Sequence, residues 1–224
     1  MSAAVVIAVD GTAACGKGTL ARLLARHYRF AHLDSGALYR LVALGVIEAN
    51  GDPGDEAHAV KAARAIEPAR AVDPIIRSDV VGRAASQVAA IPAVRRELFD
   101  YQRRFAQRPP GGVGGSVIDG RDIGTVIAPD ATAKLFVDAR PEVRAHRRWL
   151  ELQALGIARD EEAVLAELSI RDAADRNRPI SPLKQAVDAA LLDTSDLGID
   201  AAFAAALTLL DHKVKAALAV RHRG

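Results

Sequence analysis

The chain has 224 residues, of which 50% are hydrophobic and 26% are charged. This composition supports a folded core and excludes a disordered chain, and the formal net charge of +2 is too small for a protein that coats nucleic acid. A single cysteine, Cys15, excludes an intramolecular disulfide and a cysteine metal site. No signal peptide and no membrane-spanning apolar run is visible, so we expect a cytoplasmic protein that does not bind membranes.

Short apolar runs alternate with helical patterns along the chain. The predicted strands are Val5–Val9, Phe30–Leu33, Val117–Ile118, Lys134–Val137 and Leu191–Asp193. The predicted helices are Lys17–Tyr28, Ala37–Ala49, Asp55–Ile66, Ser78–Ala90 with Ser78 as N-cap, Ala93–Arg108, Pro141–Leu155, a helix from the N-cap Asp160 towards Arg171, and Asp200–Ala219. Strands that alternate with helices predict an α/β fold with a doubly wound, five-stranded parallel sheet.

Every predicted strand reaches an aspartate at its carboxyl end. These residues are Asp10, Asp34, Asp119, Asp138 and Asp193. Because ligands of such sheets bind at the carboxyl ends of the strands, the aspartates predict a rim that attracts cations. Asp34 and Asp119 are candidates for holding Mg²⁺ through water. The alternative, strongest for Asp138 and Asp193, is that aspartate only ends strands and caps helices.

The turn after the first strand carries the pattern G-x4-G-K. The residues of this turn and of the helix start that follows are Gly11, Thr12, Ala13, Ala14, Cys15, Gly16, Lys17, Gly18 and Thr19, and the pattern itself ends at Lys17. A buried strand leads in and a helix leads out, which is the context of a phosphate-binding loop whose backbone N–H groups and lysine hold ATP. The hydroxyl of Thr19 comes one residue later than in most such loops and is a third candidate for Mg²⁺. The alternative is a glycine-rich helix entry with a surface lysine.

Cys15 is an unusual residue for such a loop. A thiol among inward-pointing N–H groups at a helix N-terminus favours the thiolate. We therefore expect alkylation to inactivate the protein and ATP to protect it. The alternative is a buried, inert thiol.

Arginines next to predicted loops indicate which kind of phosphate acceptor to expect. They are Arg40, Arg95, Arg121, Arg171, Arg176 and Arg178. A phosphate acceptor is already an anion near neutral pH, so it needs fixed positive charge rather than a side-chain base. Arg171 and Arg178 flank a segment too polar for a core, which predicts a lid over ATP. The alternative is a solvated helical face with internal ion pairs.

Four stretches resemble the bacterial-type cytidylate kinase family, and the resemblance covers nearly the whole chain. They are Asp10–Thr19, Leu33–Arg40, Asp119–Val126, and the D-x-x-D-x-x-R pattern of Asp172, Asp175 and Arg178. The strings L-D-S-G-x-x-Y-R and D-G-R-D-I-G-T-V are the most specific, and they separate this family from adenylate, thymidylate and shikimate kinases. Thr12 stands where family members commonly have proline, which makes the loop entry less rigid.

The resemblance implies an activity and a set of site residues. It implies phosphorylation of CMP and dCMP by ATP with Mg²⁺, by a monomer that binds no nucleic acid. The implied catalytic residues are Lys17, Arg121, Arg171 and Arg178. The implied substrate-binding residues are Ser35, Tyr39, Arg40, Ser86, Arg95, Arg121, Asp122, Asp175 and Arg178. Of these, Asp175 would meet the ribose hydroxyls, and Asp122 with Ser86 and Arg95 would contact the cytosine ring.

One kinase domain is expected over residues 1–224. Its core would comprise residues 1–36, 113–155 and 187–224, with a monophosphate-binding region at 37–112 and a lid at about 156–180. The segment from Gly51 to Ser86 is short, whereas longer bacterial relatives insert a small antiparallel sheet there. Residues 67–77 show no clear period and are expected to lack that sheet, so we expect a more helical region.

Alternatives remain for two side chains and for the function. The alternative for Ser86 is a serine on the surface of a helix, and the alternative for Tyr39 is a half-buried core aromatic. Another small-molecule P-loop kinase with a hydroxyl acceptor is an alternative function. A nucleotide-driven switch is a second one, although the chain lacks the N-K-x-D motif of small GTPases.

Overall fold

A computed structural model describes residues 3–221. Its strands are β1 (Val5–Gly11), β2 (Ala31–Asp34), β3 (Gly115–Gly120), β4 (Ala133–Asp138) and β5 (Ala190–Asp193). Its α-helices are α1 (Lys17–Tyr28), α2 (Ser35–Glu48), α3 (Glu56–Arg64), α4 (Asp79–Ala90), α5 (Pro92–Gln107), α6 (Pro141–Ala154), α7 (Glu161–Asn177) and α8 (Ile199–Arg221). Within the described range, no helix combines the length and apolar composition that crossing a membrane requires.

The described chain divides into two compact units. The first comprises residues 3–33 and 106–221, and the second comprises residues 34–105.

The first unit is built on a five-stranded sheet in the order β2-β3-β1-β4-β5. β1 pairs in parallel with β3 and with β4, so that Ile7 lies opposite Val117 and Ala133. All seven residues of β1 are buried, as expected for a central parallel strand covered on both faces. This confirms the predicted α/β fold with a five-stranded parallel sheet.

An apolar cluster fixes α1 and α8 against this sheet. Leu20 and Leu24 of α1 and Leu210 of α8 are at most 2% exposed, and they pack with Ile7 and Val9 of β1. Each fully buried leucine contributes about 1.5–3 kcal/mol relative to an exposed one. The cluster therefore holds α1 and α8 against the sheet.

The second unit is helical. The segment that showed no sequence period forms two short 3₁₀ helices, Pro68–Val72 and Pro74–Arg77. Ser78 caps α4 by accepting a hydrogen bond from the Val81 N–H. Of residues 34–105, only Asp34 lies in a strand, which agrees with the expectation of a more helical region.

Helix α2 begins two residues earlier than the sequence predicts. Asp34 is its N-cap, and the Asp34 carboxylate accepts a hydrogen bond from the Ala37 N–H at 3.1 Å. Aspartate is among the best N-cap residues. Ser35 and Gly36 therefore form the first helical turn rather than a loop.

Candidate active site

The loop from β1 to α1 is shaped by close packing and left-handed backbone. A Cβ atom at Gly11 would clash with the Val137 carbonyl oxygen, so only glycine fits there. Ala14 and Gly16 have φ values of 57° and 90°, which turn the chain sharply before α1. The resulting entry presents the N-terminus of α1, a position suited to a phosphate group.

Lys17 lies over this loop. Its ammonium donates a hydrogen bond to the Thr12 carbonyl oxygen at 3.0 Å. Burial lowers the pKa of Lys17, and the positive charges of Arg121 and Arg171 lower it further. Three predicted catalytic residues thus lie close enough to repel one another, and an anion between them would relieve that repulsion.

Arg121 and Arg178 share one carboxylate. The Asp175 Oδ2 atom accepts a hydrogen bond from Arg121 Nε at 2.8 Å, and Oδ1 lies 3.2 Å from an Arg178 nitrogen. Burial raises the pKa of Asp175, but the charges of Arg121 and Arg178 outweigh it and hold the pKa below its ordinary value. Asp175 is therefore ionised at neutral pH and orients both guanidinium groups.

Asp10 anchors a turn that the sequence did not predict. After β3 the chain makes a π-helical turn, Ile123–Ile127, and Asp10 accepts hydrogen bonds from the Ile123 and Gly124 N–H groups at 2.8 and 2.7 Å. Burial raises the pKa of Asp10 to about 7, although both N–H donors lower it. Asp122, only 5% exposed, begins this turn, so Asp10 fixes the backbone that carries it.

Asp119 is held by a histidine that no sequence motif singles out. His32 Nε2 lies 2.8 Å from Asp119 Oδ1. The other oxygen, Oδ2, faces Gly18 at the start of α1 and has no hydrogen-bond partner among residues 3–221. Asp119 therefore keeps one oxygen available beside the loop.

Two further aspartates of the predicted rim, Asp138 and Asp193, accept hydrogen bonds from protein groups. Asp138 Oδ1 accepts hydrogen bonds from the Thr12 hydroxyl at 2.6 Å and from the Ala139 N–H. Asp193 accepts hydrogen bonds from the N–H and hydroxyl of Ser195. In both residues the bonded oxygen is Oδ1, which favours the alternative that these aspartates end strands and cap helices. Asp10 is likewise engaged by two N–H groups.

The Cys15 thiol belongs to the apolar core. Its side chain is 0% exposed and packs in the cluster of β1, α1 and α8. The Cys15 carbonyl accepts a hydrogen bond from Thr194 Oγ1 at 3.0 Å. The structure thus favours the alternative of a buried thiol over that of a reactive one.

In the second unit, Arg95 stacks on Tyr39. The Arg95 guanidinium carbon lies 5.3 Å from the centre of the Tyr39 ring, and both side chains are less than 10% exposed. An Arg95 nitrogen also donates a hydrogen bond to the Ala89 carbonyl oxygen at 3.3 Å. This unit therefore brings together two predicted substrate-binding residues on α2 and α5.

Gly82 brings Arg40 and Ser86 together in the same unit. Arg40 donates a hydrogen bond to the Ile76 carbonyl at 2.6 Å, and its guanidinium packs against Gly82. The Ser86 hydroxyl donates a hydrogen bond to the Gly82 carbonyl at 3.3 Å. Ser35 is buried at the start of α2. No pattern in the sequence indicates that Gly82 contacts these two side chains.

Comparisons with known proteins agree on one family. A family model described as Cytidylate kinase matches residues 7–212. Proteins named Cytidylate kinase from Nitrobacter winogradskyi and Rhodopseudomonas palustris are 50% and 52% identical to this chain over 206 residues, which cover 92% of the chain and 95% of each relative. A solved structure of an uncharacterized protein from Eubacterium ventriosum matches with a TM-score of 0.53 at 14% identity, covering 92% of this chain and 98% of that one. That likeness concerns the fold alone.

Proposed function

The chain belongs to the cytidylate kinase family, and from this premise we propose that it transfers the γ-phosphoryl group of ATP to the phosphate of CMP and of dCMP. The observation that carries this proposal is the positive cluster at the loop Gly11–Thr19. Arg121 and Arg171 depress the pKa of Lys17, and Arg121 shares Asp175 with Arg178. Such a cluster suits two polyanions better than a neutral alcohol.

The acceptor phosphate needs no side-chain base. Its second pKa is about 6, so at neutral pH it is already a dianionic nucleophile. The difficulty is the repulsion between this anion and the phosphates of ATP. Lys17 would hold the β and γ oxygens of ATP, while Arg121, Arg171 and Arg178 would hold the acceptor phosphate and the transferring group.

The residues beside the loop fit a magnesium ion. When bound, Mg²⁺ neutralises charge on the β and γ phosphates. This ion keeps several waters and takes only one or two protein ligands. Asp119 Oδ2 and the Thr19 hydroxyl would contact it, through water, while Asp34 of the second unit is the third candidate.

We assign the acceptor nucleotide to the residues that the family resemblance implies. In the second unit we assign it to Ser35, Tyr39, Arg40, Ser86 and Arg95. In the first unit we assign it to Arg121, Asp122, Asp175 and Arg178. Asp175 would accept hydrogen bonds from the ribose hydroxyls, and Asp122 would accept one from the cytosine amino group, since a carboxylate can only accept.

A coupled assay of ADP release tests the proposal. We expect turnover with CMP and dCMP, and rates that are lower by about 100-fold or more with UMP and AMP. Turnover with an alcohol but not with CMP would indicate a hydroxyl kinase instead. Slow ATP hydrolysis that no nucleotide accelerates would indicate a nucleotide-driven switch.

We infer a cytoplasmic, monomeric enzyme that binds no nucleic acid. ATP and CMP are substrates of the cell interior, and the relatives named above are bacterial. The formal net charge of +2 gives little general attraction for a nucleic acid backbone.

A further inference from the structure

Asp172 is the member of the D-x-x-D-x-x-R pattern to which the proposed mechanism gives no task. It lies on α7 and is 2% exposed. Its Oδ2 atom accepts a hydrogen bond from Arg144 of α6 at 2.6 Å, and its Oδ1 atom accepts one from the Ala13 N–H at 3.3 Å. Arg144, 3% exposed, also donates to the carbonyl oxygens of Ala13 at 3.1 Å and Ala139 at 2.8 Å.

Stability alone does not account for this ion pair. Its surroundings are apolar, since Ala13 packs in a cluster with Leu152, Val164 and Leu168. Desolvating two charges offsets most of their attraction, and well-packed apolar residues in place of a buried pair are often as stable or more stable. The geometry of the pair, rather than its contribution to folding, is therefore the property to explain.

The pair holds the ATP-binding loop at one residue. Both polar backbone groups of Ala13 are engaged, the N–H by Asp172 and the carbonyl by Arg144. The next residue, Ala14, has a φ of 57°, a left-handed conformation that costs a non-glycine residue about 1 kcal/mol or more. Fixing Ala13 on both sides holds the loop in the conformation that this turn requires.

The same pair fixes α7 against the loop. Arg171 directly precedes Asp172 in the chain, and Asp175 follows it by one turn and binds Arg121. Helix α7 thus has two acidic anchors on one face, Asp172 towards Ala13 and Asp175 towards Arg121. Together they set the rotation of α7 about its axis and its position along that axis. This helix carries Arg171 and ends before Arg178.

We propose that Arg144 and Asp172 are a positioning pair for phosphoryl transfer: they hold the ATP loop at Ala13 and set the register of α7, so that Arg171 and Arg178 face the phosphates that Lys17 binds. The proposal rests on the proposed function of this site. Neither residue of the pair is assigned contact with a substrate. A small displacement of positioned groups can lower a rate by about 100-fold.

The test compares Asp172→Asn and Arg144→Lys with a destabilising variant elsewhere. Leu210→Ala removes a buried side chain of α8 and serves as the control for lost stability. Kinetics are measured at a temperature well below the unfolding midpoint of every variant. For Asp172→Asn we expect KM for ATP to rise and kcat to fall, each by about tenfold or more, with KM for CMP changed less than about threefold. Arg144→Lys keeps the charge but replaces the separate donors Nε and Nη1 with a single ammonium, so its defect should be smaller, whereas Leu210→Ala should keep the wild-type constants.

Hydrogen exchange of the loop gives a readout independent of turnover. In Asp172→Asn, exchange of residues 12–19 should accelerate more than in Leu210→Ala. If Asp172→Asn does not fold, Arg144→Lys supplies the same two measurements.

Kinetic constants and loop exchange that match those of Leu210→Ala would overturn the proposal and leave a purely structural pair. If the wild type does not phosphorylate CMP but loop exchange still depends on Asp172, the proposed function fails while the positioning of the loop stands.

Discussion

At the scale of single residues, Lys17 offers the most direct test of the ATP loop. Its ammonium bonds the Thr12 carbonyl in the structure, and it would exchange this partner for phosphate oxygens. Because the interaction is strongest when charge develops in the transition state, Lys17→Ala should lower kcat by about 100-fold or more. The measurement is steady-state kinetics with saturating CMP.

Lys215→Ala is a matched control for Lys17→Ala. Lys215 lies on α8, its side chain is 68% exposed, and it pairs with Asp211. Removing this surface ammonium should leave kcat unchanged. A Lys17→Ala enzyme with a tenth of the wild-type kcat or more would contradict the phosphate-loop assignment.

The proposed contact of Asp122 with the base predicts which pyrimidine is accepted. Cytosine presents an amino donor where uracil presents a carbonyl acceptor, and a buried carboxylate facing a carbonyl is left unpaired. Asp122→Asn supplies an amide that can bond either base. We therefore expect kcat/KM for CMP to fall and the CMP-to-UMP ratio to shrink by about tenfold or more.

Asp130→Asn is the control for Asp122→Asn, because Asp130 is exposed whereas Asp122 is buried. Asp130→Asn changes the charge of the same unit at a surface position and should leave the CMP-to-UMP ratio as it is in the wild type. An unchanged ratio in Asp122→Asn would mean that this residue does not read the base.

At the scale of elements, local signals predicted much of the structure. Helix α1 begins and ends at the predicted residues, and Ser78 caps α4 as predicted, because apolar spacing and capping depend on neighbouring residues. The π-helical turn Ile123–Ile127 depends on Asp10, more than 100 positions earlier in the chain, so no local pattern reveals it. Likewise Arg144 and Asp172 look like solvated helical charges until the fold buries them together.

Helix α7 is the element expected to respond to substrates. Gly156, with a φ of 73°, ends α6, and α7 packs on α6 through Leu152, Val164 and Leu168. The buried residues of α7 are Val164, Leu168 and Asp172, so most of the helix is at least partly exposed and is expected to open more readily than the sheet core. Binding of a bisubstrate analogue should slow hydrogen exchange over residues 156–178 by about tenfold or more.

The anchors on α7 predict where that change is largest. Because Asp172 and Asp175 already tie the end of the helix to the loop and to Arg121, most of the gain should fall on residues 156–171. Exchange over α8 serves as the internal control and should not change. Equal exchange over residues 156–178 with and without the analogue would mean a fixed, solvated helix rather than a lid.

At the scale of the whole molecule, the family match over residues 7–212 spans both units. The first unit contains the loop, its lysine and the arginines that share Asp175, and the second contains the stacked pair of Tyr39 and Arg95. A single family model therefore covers both the unit that contains the sheet and the mostly helical unit.

Global stability should depend on pH through the buried Asp10 carboxyl. Its folded pKa is about 7 against an ordinary value of 3.8, so between these values the folded state binds a proton that the unfolded state has released. Stability from this group is fully present below the ordinary pKa and is lost as pH rises towards the folded one. The slope is about 1.4 kcal/mol per pH unit, which gives a fall of about 2–3 kcal/mol from pH 5 to pH 7.

Comparison with Asp10→Asn isolates this contribution. The amide does not titrate, and it keeps one oxygen for the two N–H donors of Ile123 and Gly124. We expect a lower free energy of unfolding at pH 5 than in the wild type, because one donor loses its acceptor, together with a flatter dependence on pH. Urea unfolding at half-unit steps from pH 5 to pH 8 measures both. Parallel curves for the two proteins would show that Asp10 is ionised throughout this range, with its two N–H donors outweighing its burial.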